Sequence, residues 1–189
     1  WSHMAVMNFD VEPSLLTPRL PDGLRLSTFG DQHLLSLVGF HFQNTRIGSL
    51  SVPFYGGFFE LYLGFFAERN VGSETRRGWV FVRKIVPNRA VATMGRLLYN
   101  EDYITRPMRT DVSGPNVGEI ADYRVGYEWL NDGRWNKLLV AAESGDGQVA
   151  SEGSVERYFT NNYGGFARKR GGGSIEFPVT HPDWRVWKG

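Results

Sequence analysis

From Gly23 onward, hydrophobic and polar positions alternate with a period of two, and turn signals cut the pattern into strand-length pieces. Residues 24–29 alternate, Gly30-Asp31 marks a turn, and 33–42 is apolar enough for a buried strand, so the three predict a hairpin. Pro53, Gly56 and Gly57 make 48–57 a loop before an aromatic strand over 58–66. A charged turn with Glu74, Arg76 and Arg77 leads to a strand over 79–86, which Pro87 ends. Asn88 is a helix N-cap, and Val91, Met94 and Leu98 fall at helical spacing, predicting a helix to about Tyr99. After a stretch interrupted at Pro107, Gly114 and Pro115, residues 120–130 alternate, with Tyr123, Val125, Tyr127 and Trp129 on one face. Asn131-Asp132-Gly133 is a hairpin turn, and 135–142 is the partner strand. A second helix over 152–161 carries Val155, Tyr158 and Phe159 as a stripe. A last hairpin pairs 165–168 with 175–179. About eight strands and two helices, without internal repeat or long linker, predict one mainly β domain. Its antiparallel sheet is closed or nearly closed, a barrel or sandwich with accessory helices.

Composition narrows the function classes. Lys and Arg total 21 against 20 Asp and Glu, a net charge of +1 over 189 residues. That balance argues against a nucleic-acid partner. No apolar run reaches the roughly 20 residues of a spanning helix. Zero Cys excludes disulfides, a thiolate nucleophile and Cys-based metal sites. Trp1-Ser2-His3-Met4 reads as a cloning remnant ahead of a natural start at Met4, with the domain over 5–189, and His3 is set aside on that ground. Without a secretory signal or Cys, the expected location is the cytoplasm. The remaining histidines, His33, His41 and His181, have no partner at metal-ligand spacing, so neither metal nor cofactor is expected. The basic run Arg168-Lys169-Arg170 before three glycines reads as the rim of a hairpin turn rather than an anion site.

Two strands carry the candidate chemistry. Glu60 lies in an aromatic strand, on the face of Phe58, Tyr62 and Phe66 and opposite Leu61, Leu63 and Phe65. Burial there demands a partner, and leaves either a pocket acid or a structural carboxylate. In the strand 79–86, strict alternation places Arg83 with Trp79, Phe81 and Ile85, and Lys84 with Val80, Val82 and Val86. One cation therefore faces inward, an Arg able to hold a carboxylate or a Lys able to form an imine, and the pattern does not choose between them. Near a strand end both also reach water. Glu101 and Asp102 are adjacent and rarely face one another; Asp102 reads as a solvated turn.

The ordered motifs Leu20-Pro21-Asp22-Gly23-Leu24, Phe59-Glu60-Leu61, Gly78-Trp79-Val80-Phe81-Val82-Arg83-Lys84-Ile85-Val86-Pro87, Leu98-Tyr99-Asn100-Glu101-Asp102-Tyr103, Tyr158-Phe159-Thr160 and His181-Pro182-Asp183-Trp184 resemble the YqjF-like proteins of unknown function. That family is similar in fold to acetoacetate decarboxylase, which implies a β-barrel or sandwich whose cavity takes a small organic acid or carbonyl compound. The decarboxylases carry a Schiff-base Lys soon after a helix with Gly-Arg. Here Gly95-Arg96 is followed by Leu97 to Tyr103 without Lys, so acetoacetate-type decarboxylation is not expected. Lys84 is a neutral change at a strand end or, as the alternative, a replacement amine for a lyase acting on a keto acid. The candidate catalytic groups are Glu60, Lys84 and Glu101. The candidate ligand-binding set is Glu60, Tyr62, Arg83, Lys84, Tyr99, Glu101 and Tyr103. A non-catalytic sensor, or an oligomer joined through exposed aromatics, stands as the other class of reading.

Overall fold

In a computed structural model of the chain, residues 1–43, 46–47, 50–51, 57–113, 123–142, 147–181 and 183–188 are described. The elements in chain order begin with β1 (Ser2–Asp10), α1 (Pro13–Leu16), a 3-10 turn (Thr17–Arg19), β2 (Arg25–Leu26), β3 (Leu34–Gln43), β4 (Arg46–Ile47) and β5 (Leu50–Ser51). The middle holds β6 (Gly57–Val71), β7 (Glu74–Val86), α2 (Arg89–Tyr99), β8 (Tyr103–Thr105), β9 (Met108–Ser113), β10 (Tyr123–Asn131) and β11 (Arg134–Ala142). The chain continues through β12 (Gln148–Val149), α3 (Val155–Thr160), β13 (Gly164–Arg168), β14 (Ser174–Pro178) and β15 (Arg185–Val186).

Among the described residues, eight strands form one principal sheet in the order β1-β3-β6-β7-β13-β14, with β2 on β6 and β8 on β7. Its ends do not pair, so the architecture is the sandwich of the two expected forms and not a closed barrel. The sheet is also mixed: β13 and β8 both run parallel to β7. The β8 pairing follows from topology, since a parallel neighbour needs a crossover and α2 supplies it.

Each face of this sheet has its own cover. One face packs on the three-stranded sheet β9-β10-β11 through Ala5, Leu61, Tyr127 and Leu138. Trp129 joins that inter-sheet core, partly buried beside Tyr127 and Leu138. Lower on the same face, Phe65, Ala67, Val80 and Phe166 close over Leu16 of α1. The opposite face carries Val38, Phe40, Tyr62, Phe66 and Trp79, with Tyr158 and Phe159 of α3 laid against them. Arg77 staples α3 in place, donating to the carbonyls of Tyr158 and Asn161 and stacking over the Tyr158 ring.

Several local expectations are found. Asn88 Oδ1 accepts from the Ala90 N–H, capping α2, and Asp132 and Gly133 both have positive φ, as a two-residue hairpin of the primed type requires. The Gly165 and Ile175 strands pair as a hairpin. Others are corrected. Residues 74–77 belong to β7 rather than a turn, because Glu68, Arg69 and Asn70 register with Arg77, Arg76 and Thr75 and the β6–β7 ladder runs out to Gly72. The segment 24–29 forms only β2, paired with β6 and not with β3. β1, α1, β8 and β9 were not expected; β1 includes residues 2–4, and Ser2 registers with His41. The stretch 114–122, and most of the predicted loop 48–57, lie outside the described residues.

The layer contact is close enough to need a glycine: a Cβ at Gly39 would overlap the Tyr127 ring. Gly39→Ala is therefore expected to lower unfolding free energy by about 3 kcal/mol through overpacking, measured by urea denaturation.

Candidate functional site

The site forms where β6 and β7 meet α2 and β8. Alternation on β6 turns Glu60, Tyr62 and Phe66 to one face, as expected. On β7 the alternation breaks. Leu63 registers with Arg83 but Gly64 registers with Phe81, so Val82 is an extra residue, a β-bulge. Trp79 and Phe81 face the cavity, Val80 and Val82 join the opposite core, and beyond the bulge Lys84 returns to the aromatic face. The strict grouping of Arg83 with Trp79 and Phe81 is thus corrected by one inserted residue.

The following loop repeats the division. Asn100 ends α2 in the left-handed conformation, and the chain then sends Glu101 inward, Asp102 outward and Tyr103 inward. Two adjacent cations meet two adjacent anions across the β7–β8 pair. Outside, Arg83 Nε and Nη2 donate to Asp102 Oδ2 at 2.9 and 2.8 Å, with side chains 53% and 42% exposed. Inside, Lys84 Nζ lies 2.6 Å from Glu101 Oε2 and 3.9 Å from Glu60 Oε1. Glu60, Lys84 and Glu101 are 3%, 8% and 9% exposed, so Lys84 does not snorkel to water.

Aromatic rings complete the enclosure. The Lys84 ammonium lies 3.6 Å from the Phe81 ring centroid, a cation–π contact, and the Tyr103 hydroxyl donates to Glu60 Oε2 at 3.3 Å. Tyr103 reaches this position because a Cβ at Gly95 of α2 would overlap its ring. Tyr62 stands among Phe40, Trp79 and Phe81 with ring centroids 4.9–5.9 Å apart. Burial, and then the Glu60 charge, holds its phenol well above the ordinary tyrosine range. Together these residues line a cavity of about 360 Å³, roofed by Phe159 from α3 and by Phe177, His181 and Trp184 from the C-terminal segment.

Of the expected site residues, Glu60, Tyr62, Lys84, Glu101 and Tyr103 converge on this cavity. Arg83 does not, and the Tyr99 side chain lies outside the described residues. His33 and His41 also stand apart from it, His41 packing on Phe59. The basic turn is a clamp: Arg168 donates to the carbonyls of Pro18 and Leu20, and Arg170 to Asn100 Oδ1 and the Arg96 carbonyl. Sequence reasoning missed Phe40, Phe42, Asn162 and Phe177 as lining residues. It noted Phe159, His181 and Trp184 only as motif members. Phe40 and Phe42 carried a signal, the alternate apolar places of β3, where Phe40 registers with Glu60; the others come from segments that no such alternation marks. Asn162 is buried, its Nδ2 donates to the Gly164 carbonyl, and its Oδ1 has no hydrogen-bond partner.

A family profile described as "Uncharacterized conserved protein (COG2071)" matches residues 1–189. The chain belongs to the DUF2071 family. No curated protein sequence matches this DUF2071 chain. Among solved structures it is similar to the enduracididine biosynthesis enzyme MppR. With HEPES buffer bound, MppR gives a TM-score of 0.62 at 12% identity, over 93% of this chain and 64% of that one. Complexed with the condensation product of pyruvate and imidazole 4-carboxaldehyde, it gives 0.57 at 14% identity, over 78% and 56%. Complexed with pyruvate, it gives 0.55 at 15% identity, over 75% and 55%. The DUF2071 chain thus spans less than two thirds of MppR's length, and the likeness shows a shared fold, consistent with the expected acetoacetate decarboxylase-like relationship. Among the described residues no helix is long and apolar enough to cross a membrane.

The electrostatics of Glu60 give a direct test. Burial, opposed by Lys84 and reinforced by Glu101, raises its carboxyl to about 7. A carboxyl raised on folding is protonated in the native state where the unfolded chain has already ionised, so its contribution is complete below the unfolded value near 4.5 and falls as pH rises to about 7. Relative to Glu60→Gln, the wild-type protein should lose up to about 1.4 kcal/mol per pH unit across this window. Denaturant titrations of both proteins at pH 4 to 8 read the difference.

Proposed function

We propose that this DUF2071 protein binds a small carbonyl compound in its aromatic cavity, with Lys84 donating to the carbonyl oxygen. The observation that carries this reading is the Lys84 ammonium held inside the cavity 2.6 Å from Glu101 while its contact with Glu60 stays at 3.9 Å. An ammonium has three protons, and Glu101 takes one. A neutral carbonyl accepts another without adding charge to an enclosure that already holds two carboxylates. An organic anion would add a third negative charge beside a single ammonium, so its entry requires Glu60 to be protonated. The flat walls of Tyr62, Trp79 and Phe81 suit a planar body joined to that carbonyl. MppR's complexes are with pyruvate, a ketone that also carries a carboxylate, and with a pyruvate condensation product; they support the carbonyl part of this reading and not the preference for a neutral ligand.

The same pairing favours Lys84 as donor over Lys84 as nucleophile, because imine formation begins from the free amine and Glu101 matches the charged form.

Neutral aldehydes and ketones should raise the melting temperature above pH 7, whereas matched carboxylates should act only below it; a ligand at 100 times its Kd adds about 2.7 kcal/mol. No shift with either class would overturn the reading, and native mass spectrometry for a co-purified compound is the independent measurement. Lys84→Met is expected to abolish the shift and to cost about 3 kcal/mol of stability, since Glu101 is left buried without its partner. Borohydride added with a keto acid should leave no adduct on Lys84.

A further inference from the structure

We propose that the cavity interconverts the keto and enolate forms of its carbonyl ligand, Glu60 carrying the α-proton while Lys84 holds the oxygen. This rests on the carbonyl reading above. The geometry provides the two groups the reaction needs on one wall. Glu60 Oε1 and Lys84 Nζ are 3.9 Å apart, beyond hydrogen-bond distance, so base and donor stand side by side without satisfying each other. A carbonyl oxygen on the ammonium then brings the neighbouring carbon's C–H toward the carboxylate.

Glu60 removes the α-hydrogen as a proton. The C–H pair becomes the C=C bond, the carbonyl π pair moves to oxygen, and the resulting enolate faces the ammonium. Return of a proton from Glu60 to carbon regenerates the ketone; the carboxyl proton exchanges with water before that return, so solvent hydrogen reaches the carbon and the cycle consumes no other co-reactant. Other groups fix the roles. Tyr103 donates to Glu60 Oε2 and orients the carboxyl, leaving Oε1 toward Lys84. Glu101 holds the ammonium in place. The aromatic walls keep the developing oxyanion in an environment where a fixed ammonium stabilises it more than water would. The groups facing Glu60 are Lys84, Glu101, Tyr62 and Tyr103. Its carboxyl, near 7, matches the requirement that a general base titrate close to working pH.

The test is hydrogen–deuterium exchange of phenylacetone in D2O, followed by proton NMR, with binding measured in parallel by thermal shift. The wild-type protein should exchange the α-positions at least about 100-fold faster than buffer, at a rate that rises through pH 7 as Glu60 ionises. Glu60→Gln should bind phenylacetone and lose the exchange. Glu60→Asp, which keeps a carboxyl one methylene shorter, should retain a reduced rate. Binding without exchange in the wild type would overturn the proposal and leave the ligand reading standing. Absence of binding would overturn both. Exchange undiminished in Glu60→Gln, or exchange accompanied by a borohydride-trapped adduct on Lys84, would overturn the assigned roles.

Discussion

A lysine ammonium enclosed by aromatic rings is tolerable only with an opposite charge in contact, and the upper half of this protein is arranged around that requirement. Lys84 is only 8% exposed, its ammonium lying against the rings of Phe81 and Tyr103. Its counter-charge comes from the segment after α2, so that segment must arrive at one place in one orientation. The capped start of α2, its left-handed end at Asn100 and the parallel pairing of β8 with β7 together deliver Glu101 there. A buried pair of this kind contributes little net stability, because desolvation offsets the attraction. Its effect is positional: β7 and β8 are tied on both sides at once, by Lys84–Glu101 within and Arg83–Asp102 without.

Glu60 differs from Glu101 in standing farther from the ammonium, 3.9 Å against 2.6 Å. It lies one strand over, opposite Phe40 on β3, and receives one long hydrogen bond from Tyr103. Two carboxylates on the same wall are thereby separated in character. One is committed to an ion pair, and the other gains and loses a proton near neutrality.

The strand pattern made much of this legible. The period-two run in β6 assigned Glu60 and Tyr62 to one face, and the N-cap at Asn88 and the Asp132-Gly133 turn followed from residue chemistry that acts within a few positions. What escaped was set by distant partners. The bulge at Val82 depends on how β7 registers against β6, and one inserted residue exchanges the places of Arg83 and Lys84. The charged segment 74–77 looked like a turn because its partners on β6 are invisible in a local window. β8 and β9 are short strands that exist because α2 and the second sheet hold them. The cavity roof was hidden for a similar reason: Phe159, Phe177 and Trp184 come from segments whose approach to Tyr62 and Trp79 no periodicity encodes.

The basic turn after β13 has a reach its surface position conceals. Arg170 grips the last turn of α2 through Asn100 and the Arg96 carbonyl, while Asp22 holds the same turn from the far side through the Gly173 N–H. The turn thus works as a bracket between the chain's early segment and the helix end from which Glu101 departs. The charge balance inside the cavity is anchored to the outer skin of the molecule. Sequence drift or a bound partner at that turn would act on the inner ion pair by tilting a helix end, without touching any residue that lines the cavity.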